Sequence, residues 1–212
     1  MALSKVNFNS MNVTPAASKA VKFNSSNNGL ETGDIGGSLV LISEQTASSS
    51  ANISFTSGID STYKEYVFKL INIHPQTDTE HIAFNGSIDG GSNYNVTKTS
   101  TFFTAYNLEG DVEAALGYTA SRDLAQSTAV QKLIDIDSAN DMAASGYLHL
   151  FNPSSTTFVK HFIARFSGST NEVCKDTYIA GYFNNTNDID AIQFSMTSGN
   201  IDAGTIKLYG VS

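Results

Sequence analysis

The sequence predicts an all-β protein: an antiparallel β-sandwich, jelly-roll-like, with an extended arm at its N-terminus. Three observations carry this reading. About ten short segments combine period-two alternation with β-branched and aromatic residues. Clusters of Gly, Asn, Asp, Ser and Pro separate them, a spacing that suits an antiparallel sandwich and not a parallel α/β sheet. Only one stretch, 111–136, has helical character.

Residues 1–37 stand apart. "MALSKVNFNSMNVTPAASKAVKFNSSNNGLETGDIGG" scatters its hydrophobics without a period and carries turn signals at Asn28-Gly29 and Gly36-Gly37. An arm or short hairpin region, ordered by packing on a neighbour, is expected there. A β-sandwich domain is expected over 38–212. "SLVLI" (38–42) and "ANISF" (51–55) open it. In "EYVFKLINI" (65–73), Tyr66, Phe68 and Leu70 oppose Val67, Ile71 and Ile73, the pattern of a central strand covered on both faces. "HIAFNGSI" (81–88) and "STFFTAY" (100–106) follow, then "YLHLF" (147–151), "TFVKHFIARF" (157–166) and "YIAGYF" (178–183). "AIQFSM" (191–196) and "GTIKLYGV" (204–211) are the clearest alternating strands. Between them, "DVEAALGYTASRDLAQSTAVQKLIDI" (111–136) reads as a short helix or as a long excursion between two halves of the sandwich.

Two connections stand out. "FTSGID" (55–60) is echoed by "MTSGNID" (196–202), each after an alternating strand and before another. Gly58 and Gly199 supply permissive backbone, so the echo reads as one connector used twice. "SIDGGSNY" (87–94) reads as a hairpin turn with Asp89-Gly90 at positive φ. It opens no helix, so neither a phosphate-binding loop nor a nucleophile elbow fits it.

Composition narrows the partners. Apolar residues make up 41% of the chain, enough to bury a core. Charged residues make up only 15%, and Ser, Thr and Asn supply the polar surface instead. Such a surface suits extracellular or virion proteins and multi-subunit packing. Net charge is −8, and the twelve Lys and Arg form no cluster, which argues against nucleic-acid and membrane partners. The opening residues contain no apolar run of signal-peptide length, so no secretion route is expected. A sole cysteine, Cys174, permits no intrachain disulfide.

Chemistry-bearing constellations are sparse. His74, His81, His149 and His161 fall on different strands. His149 and His161 are candidates for a cross-strand pair, but no third metal ligand is indicated. The carboxylates of "DIDSAND" (135–141) and "NNTNDID" (184–190) read as Asx-rich turns, with calcium ligation as the alternative. Asp188 and Asp190 are the weak candidates for a ligand-presenting loop. No catalytic residue, cofactor or metal site is assigned, and no glycosidase-like carboxylate pair appears. Six N-x-[ST] sequons, among them Asn52, Asn85, Asn95 and Asn184, follow from the abundance of Asn, Ser and Thr.

"IDSTYKEYVFKLINIHPQTDTEHIAFNGSIDGGSNYN" (59–95) resembles a segment of structural proteins of tailed bacteriophages, marine phages especially. The matching positions are Pro75, Thr77 and Asp78, then Ser87, Asp89, Gly90 and Gly91. Residues 146–166 and 199–211 are similar to later strands of the same kind of domain, and the opening residues to N-terminal segments of phage fibre-like proteins. The resemblance implies a jelly-roll protein of the capsid-decoration or tail-fibre type. The expectation is then a non-enzymatic homo-oligomer on the virion exterior, assembled in the host cytoplasm. Its partners would be its own copies and other virion proteins. A receptor- or glycan-binding adhesin module of a phage tail is the alternative, and a polysaccharide-degrading enzyme ranks below it.

Overall fold

Alternating apolar residues settle as strands wherever one side chain in two can be buried. The computed structural model describes residues 14, 19–26, 28–33 and 38–212, and among them every regular element is a strand. The arm expected over 1–37 lies mostly outside these residues. Residues Met1–Ser38 and Leu39–Ser212 form separate compact units. In the first, β1 (Ala20–Phe23) pairs antiparallel with β2 (Leu30–Gly33), Ala20 opposite Gly33. Asn24 closes this hairpin: its backbone N–H donates to the Gly29 carbonyl (2.9 Å) and its Nδ2 to Asn28 Oδ1 (2.9 Å).

The second unit holds β3 (Leu39–Ser50), β4 (Ile53–Phe55), β5 (Glu65–Pro75), β6 (Glu80–Ser87), β7 (Lys98–Leu108), β8 (Ala114–Tyr118) and β9 (Leu124–Ser127). It continues with β10 (Gln131–Ile136), β11 (Ala144–Phe151), β12 (Lys160–Thr170), β13 (Val173–Phe183), β14 (Ala191–Met196) and β15 (Ile201–Val211). A four-stranded sheet runs β10-β6-β14-β4. A nine-stranded one runs β3-β15-β5-β11-β12-β13-β7-β8, with β9 also on β7. All pairings are antiparallel, and the sheets stack as a sandwich.

Without β7–β9 and β12–β13, eight strands remain. Numbered afresh along the chain, they order as first-eighth-third-sixth in the large sheet and second-seventh-fourth-fifth in the small one. That is jelly-roll topology. Both insertions add to the same side of the large sheet, beyond β11, so the nine-stranded sheet extends well past the four-stranded one.

Aromatic side chains fill the space between the sheets. Phe84 meets Phe162 edge-on at 5.1 Å, and Phe68 lies 5.3 Å from Phe55 and 5.4 Å from Phe194. All five are buried. Truncating such a ring costs about 3–5 kcal/mol in a packed core.

Several expectations change in three dimensions. The stretch 111–136 forms β8, β9 and β10 and contains no helix. β5 is not covered evenly on both faces. Asn72 sits at φ +50° where the ladder to β11 shifts register. This bulge leaves Ile71 exposed and turns Ile73 into the core beside Leu70. In "SIDGGSNY" positive φ falls at Gly90, as expected, and at Gly91, but not at Asp89. The segment joins β6 to β7 in different sheets, however, so it is a corner between sheets and not a hairpin.

The repeated "TSG" connects β4 to β5 and β14 to β15, in both cases carrying the chain from the small sheet to the large one. Gly58 and Gly199 both take positive φ, +81° and +71°. Since β4 runs antiparallel to β14 and β5 to β15, the two corners lie at opposite ends of the sandwich.

Candidate functional site

The predicted ligand loop is built as structure. Ile189, buried between Asp188 and Asp190, pins 184–190 to the core, and its N–H donates to the Pro153 carbonyl (3.0 Å). Both Asp190 carboxylate oxygens accept the Gly90 N–H (2.9 and 3.1 Å), tying this loop to the β6–β7 corner. Lys160 Nζ donates to the carbonyls of Asn185 (3.2 Å) and Asn187 (2.5 Å). An ammonium thus already occupies carbonyl oxygens that a cation in this loop would use. Asp188 remains exposed, with its charge near Lys160. In the 135–141 stretch, Asp137 accepts from Thr79 Oγ1 (3.2 Å), while Asp135 is buried in an ion network. Among the described residues, no three His, Cys, Asp or Glu side chains converge on a metal position. His149 faces Ile163 across the ladder instead of His161, and its Nδ1 bonds to Glu65.

The outer face of the nine-stranded sheet is unusual for a surface. Alternation that buries Phe162, Ala164 and Phe166 sends Ile163 and Arg165 outward. In register with Arg165, the row Tyr118, Phe103, Tyr178, Arg165, Tyr147 crosses five strands, from β8 to β11. Its four aromatics and Ile163 are each 38–49% exposed. Phe103 meets Tyr118 edge-on at 5.3 Å, and the Arg165 guanidinium lies 4.7 Å over Tyr178. Asp176 accepts from Arg165 Nη2 (2.7 Å) and Nε (3.1 Å), so the row's one cation is neutralised within the face.

A second site forms where the large sheet overhangs the small one. β10, the edge of the small sheet, packs over β12 and β13, and β7 and β8 lie beyond it. A cleft of about 330 Å³ opens there, with Thr104 and Tyr106 of β7 and Gly117 of β8 among its lining residues. Arg122 and Lys175 line it as well, and both bind Asp135 of β10. Arg122 Nη1 donates to Asp135 Oδ1 at 2.9 Å and Lys175 Nζ to Oδ2 at 2.5 Å. Burial pulls the Asp135 carboxyl upward, but the Lys175 hydrogen bond and the two cations outweigh it and hold it below its ordinary value. His81 stands directly opposite Asp135 in the β6–β10 ladder. Its Nε2 is buried without a hydrogen-bond partner, and burial, then the Arg122 charge, lowers the ring to about 4.

Arg122 and Lys175 carry no local signature in the sequence. They reach Asp135 only because the β7–β9 and β12–β13 insertions sit side by side in one sheet. No protein-family model matches the chain, and no curated protein or solved structure matches it either.

Proposed function

We propose that this chain is a non-enzymatic structural protein of the exterior of a tailed-phage particle, a capsid-decoration or tail-fibre component. In this reading it works by packing against its own copies and other virion proteins. One observation carries the proposal: the aromatic row and Ile163 on the outer face of the large sheet. A contiguous apolar patch with its single cation neutralised in place marks a protein contact surface. The choice of a phage particle rests on the resemblance of residues 59–95 to phage structural proteins. Cryo-EM and protein quantification of purified particles test it. Hundreds of copies per particle are expected for decoration and a few to tens for a tail appendage; absence from particles overturns the proposal.

A second reading, a receptor- or glycan-binding module of a phage tail, is favoured by the cleft under the overhang. It combines hydroxyls, aromatic rings and charge at small-molecule scale. A glycan array probed with the purified chain tests it, and binding to no surface glycan removes it.

A further inference from the structure

We propose that the cleft under the overhang binds the carboxylate of a single acidic sugar residue, of the uronic or sialic acid kind. This rests on the glycan-binding reading and adds the chemistry of the ligand.

Charge is the first argument. At Asp135 two cations face one carboxylate, so this side of the cleft carries a local excess of one positive charge. The Arg122 and Lys175 side chains are only 19% and 17% exposed. An uncompensated charge withdrawn from water is costly, and an anion in the cleft removes that cost.

Donor geometry is the second. A guanidinium has five N–H donors, and Asp135 engages Nη1 alone. Nε and Nη2 make no hydrogen bond among the described residues. A planar fork of this kind matches a carboxylate with two parallel bonds.

Size and surroundings supply the rest. About 330 Å³ lies at the low end for small-molecule sites and suits one pyranose, not a polymer segment. Thr104 Oγ1 and Thr119 Oγ1, 3.0 Å apart, offer donor and acceptor capacity to ring hydroxyls. Tyr106 donates its O–H to Glu113, and Tyr118 donates to Asp123. These carboxylates confine the positive excess to the Arg122 and Lys175 side, which disfavours polyanions and leaves room for one compact negative charge there. A Cβ on Gly117 would meet nothing within 4 Å, so the cleft is open above β8.

Calorimetric titration of the full chain with glucuronate, N-acetylneuraminate, glucose, acetate and sulfate tests the assignment. At least one of the two acidic sugars is expected to bind about tenfold more tightly than glucose, acetate or sulfate, as one charge-assisted hydrogen-bond pair predicts. Arg122→Gln is expected to remove that advantage. Because Arg122 also supports Asp135, Gly117→Leu provides the second test. It fills the cleft from an exposed strand without a clash at Cβ, and should abolish binding with an unchanged melting temperature. Glucose binding as tightly as the acids overturns the carboxylate assignment and leaves the glycan reading standing. Acetate or sulfate binding as tightly as the acids means an adventitious ion only. Binding of no sugar overturns both, and binding unchanged in Gly117→Leu places the site elsewhere.

Discussion

Lys98 shows what this fold tolerates at one residue. Its side chain is fully buried, Nζ donates to Asn85 Oδ1 (2.6 Å) and to the Val96 carbonyl (2.9 Å), and the Phe183 ring lies 5.7 Å away. Burial pushes the amine down to about 7. The unfolded chain holds that proton up to about pH 10.5, so between these values it binds more protons than the native state. Stability therefore rises with pH through this window, and below about pH 7 the full penalty is present. The unfolding free energy from urea melts should climb by on the order of 2–3 kcal/mol between pH 7 and 9.5 from this group. Lys98→Met should flatten the profile; parallel profiles for the two proteins would refute the account. The carboxylates of 184–190 differ in the same concrete way. Asp190→Ala should cost about 1–2 kcal/mol and speed hydrogen exchange at Gly90, whereas Asp188→Ala should stay within about 0.5 kcal/mol. Equal costs would mean that the Gly90 bond does not hold the corner.

Elements reveal which parts of the fold the sequence announces. β14 was legible as 191–196 because one face of the strand is buried along its length, which imposes strict alternation. β8 was not legible. All five of its residues are exposed, so burial imposes no period on "AALGY". The bulge at Asn72 was hidden as well, since an asparagine at positive φ leaves no mark on hydrophobic spacing. The cleft was hidden for a topological reason: Arg122, Asp135 and Lys175 lie on separate parts of the chain that only sheet order brings together. The "TSG" corners were legible as turns, because positive φ restricts residue choice. A Cβ at Gly58 would come within 2.6 Å of Ile42 Cγ2, and one at Gly199 within 2.3 Å of Thr77 Oγ1. Gly58→Ala and Gly199→Ala should each destabilise by about 1–3 kcal/mol. Since the corners lie at opposite ends, the double substitution should match the sum within about 0.5 kcal/mol. Denaturant melts of the three variants check this, and marked non-additivity would contradict the separation.

For the whole molecule, an apolar face on an acidic body sets two forces against each other. The charge of −8 repels copies, while the aromatic row attracts them. Salt screens the first and spares the second. Self-association measured by sedimentation should strengthen as sodium chloride rises from about 50 to 500 mM. The paired substitution Phe103→Ser and Ile163→Ser should remove it at every salt concentration; association unaffected by that pair would assign contact to another surface. Jelly-roll connectivity also governs the order in which this molecule can be made. β14 lies between β4 and β6, and β15 between β3 and β5, so strands late in chain order complete both sheets begun by the early ones. Thr46 waits for Thr205, 159 residues downstream. Until then β3 and β5 present open edges. Production of the folded chain should therefore be slow, and sensitive to chaperone supply in proportion to how fast it is translated.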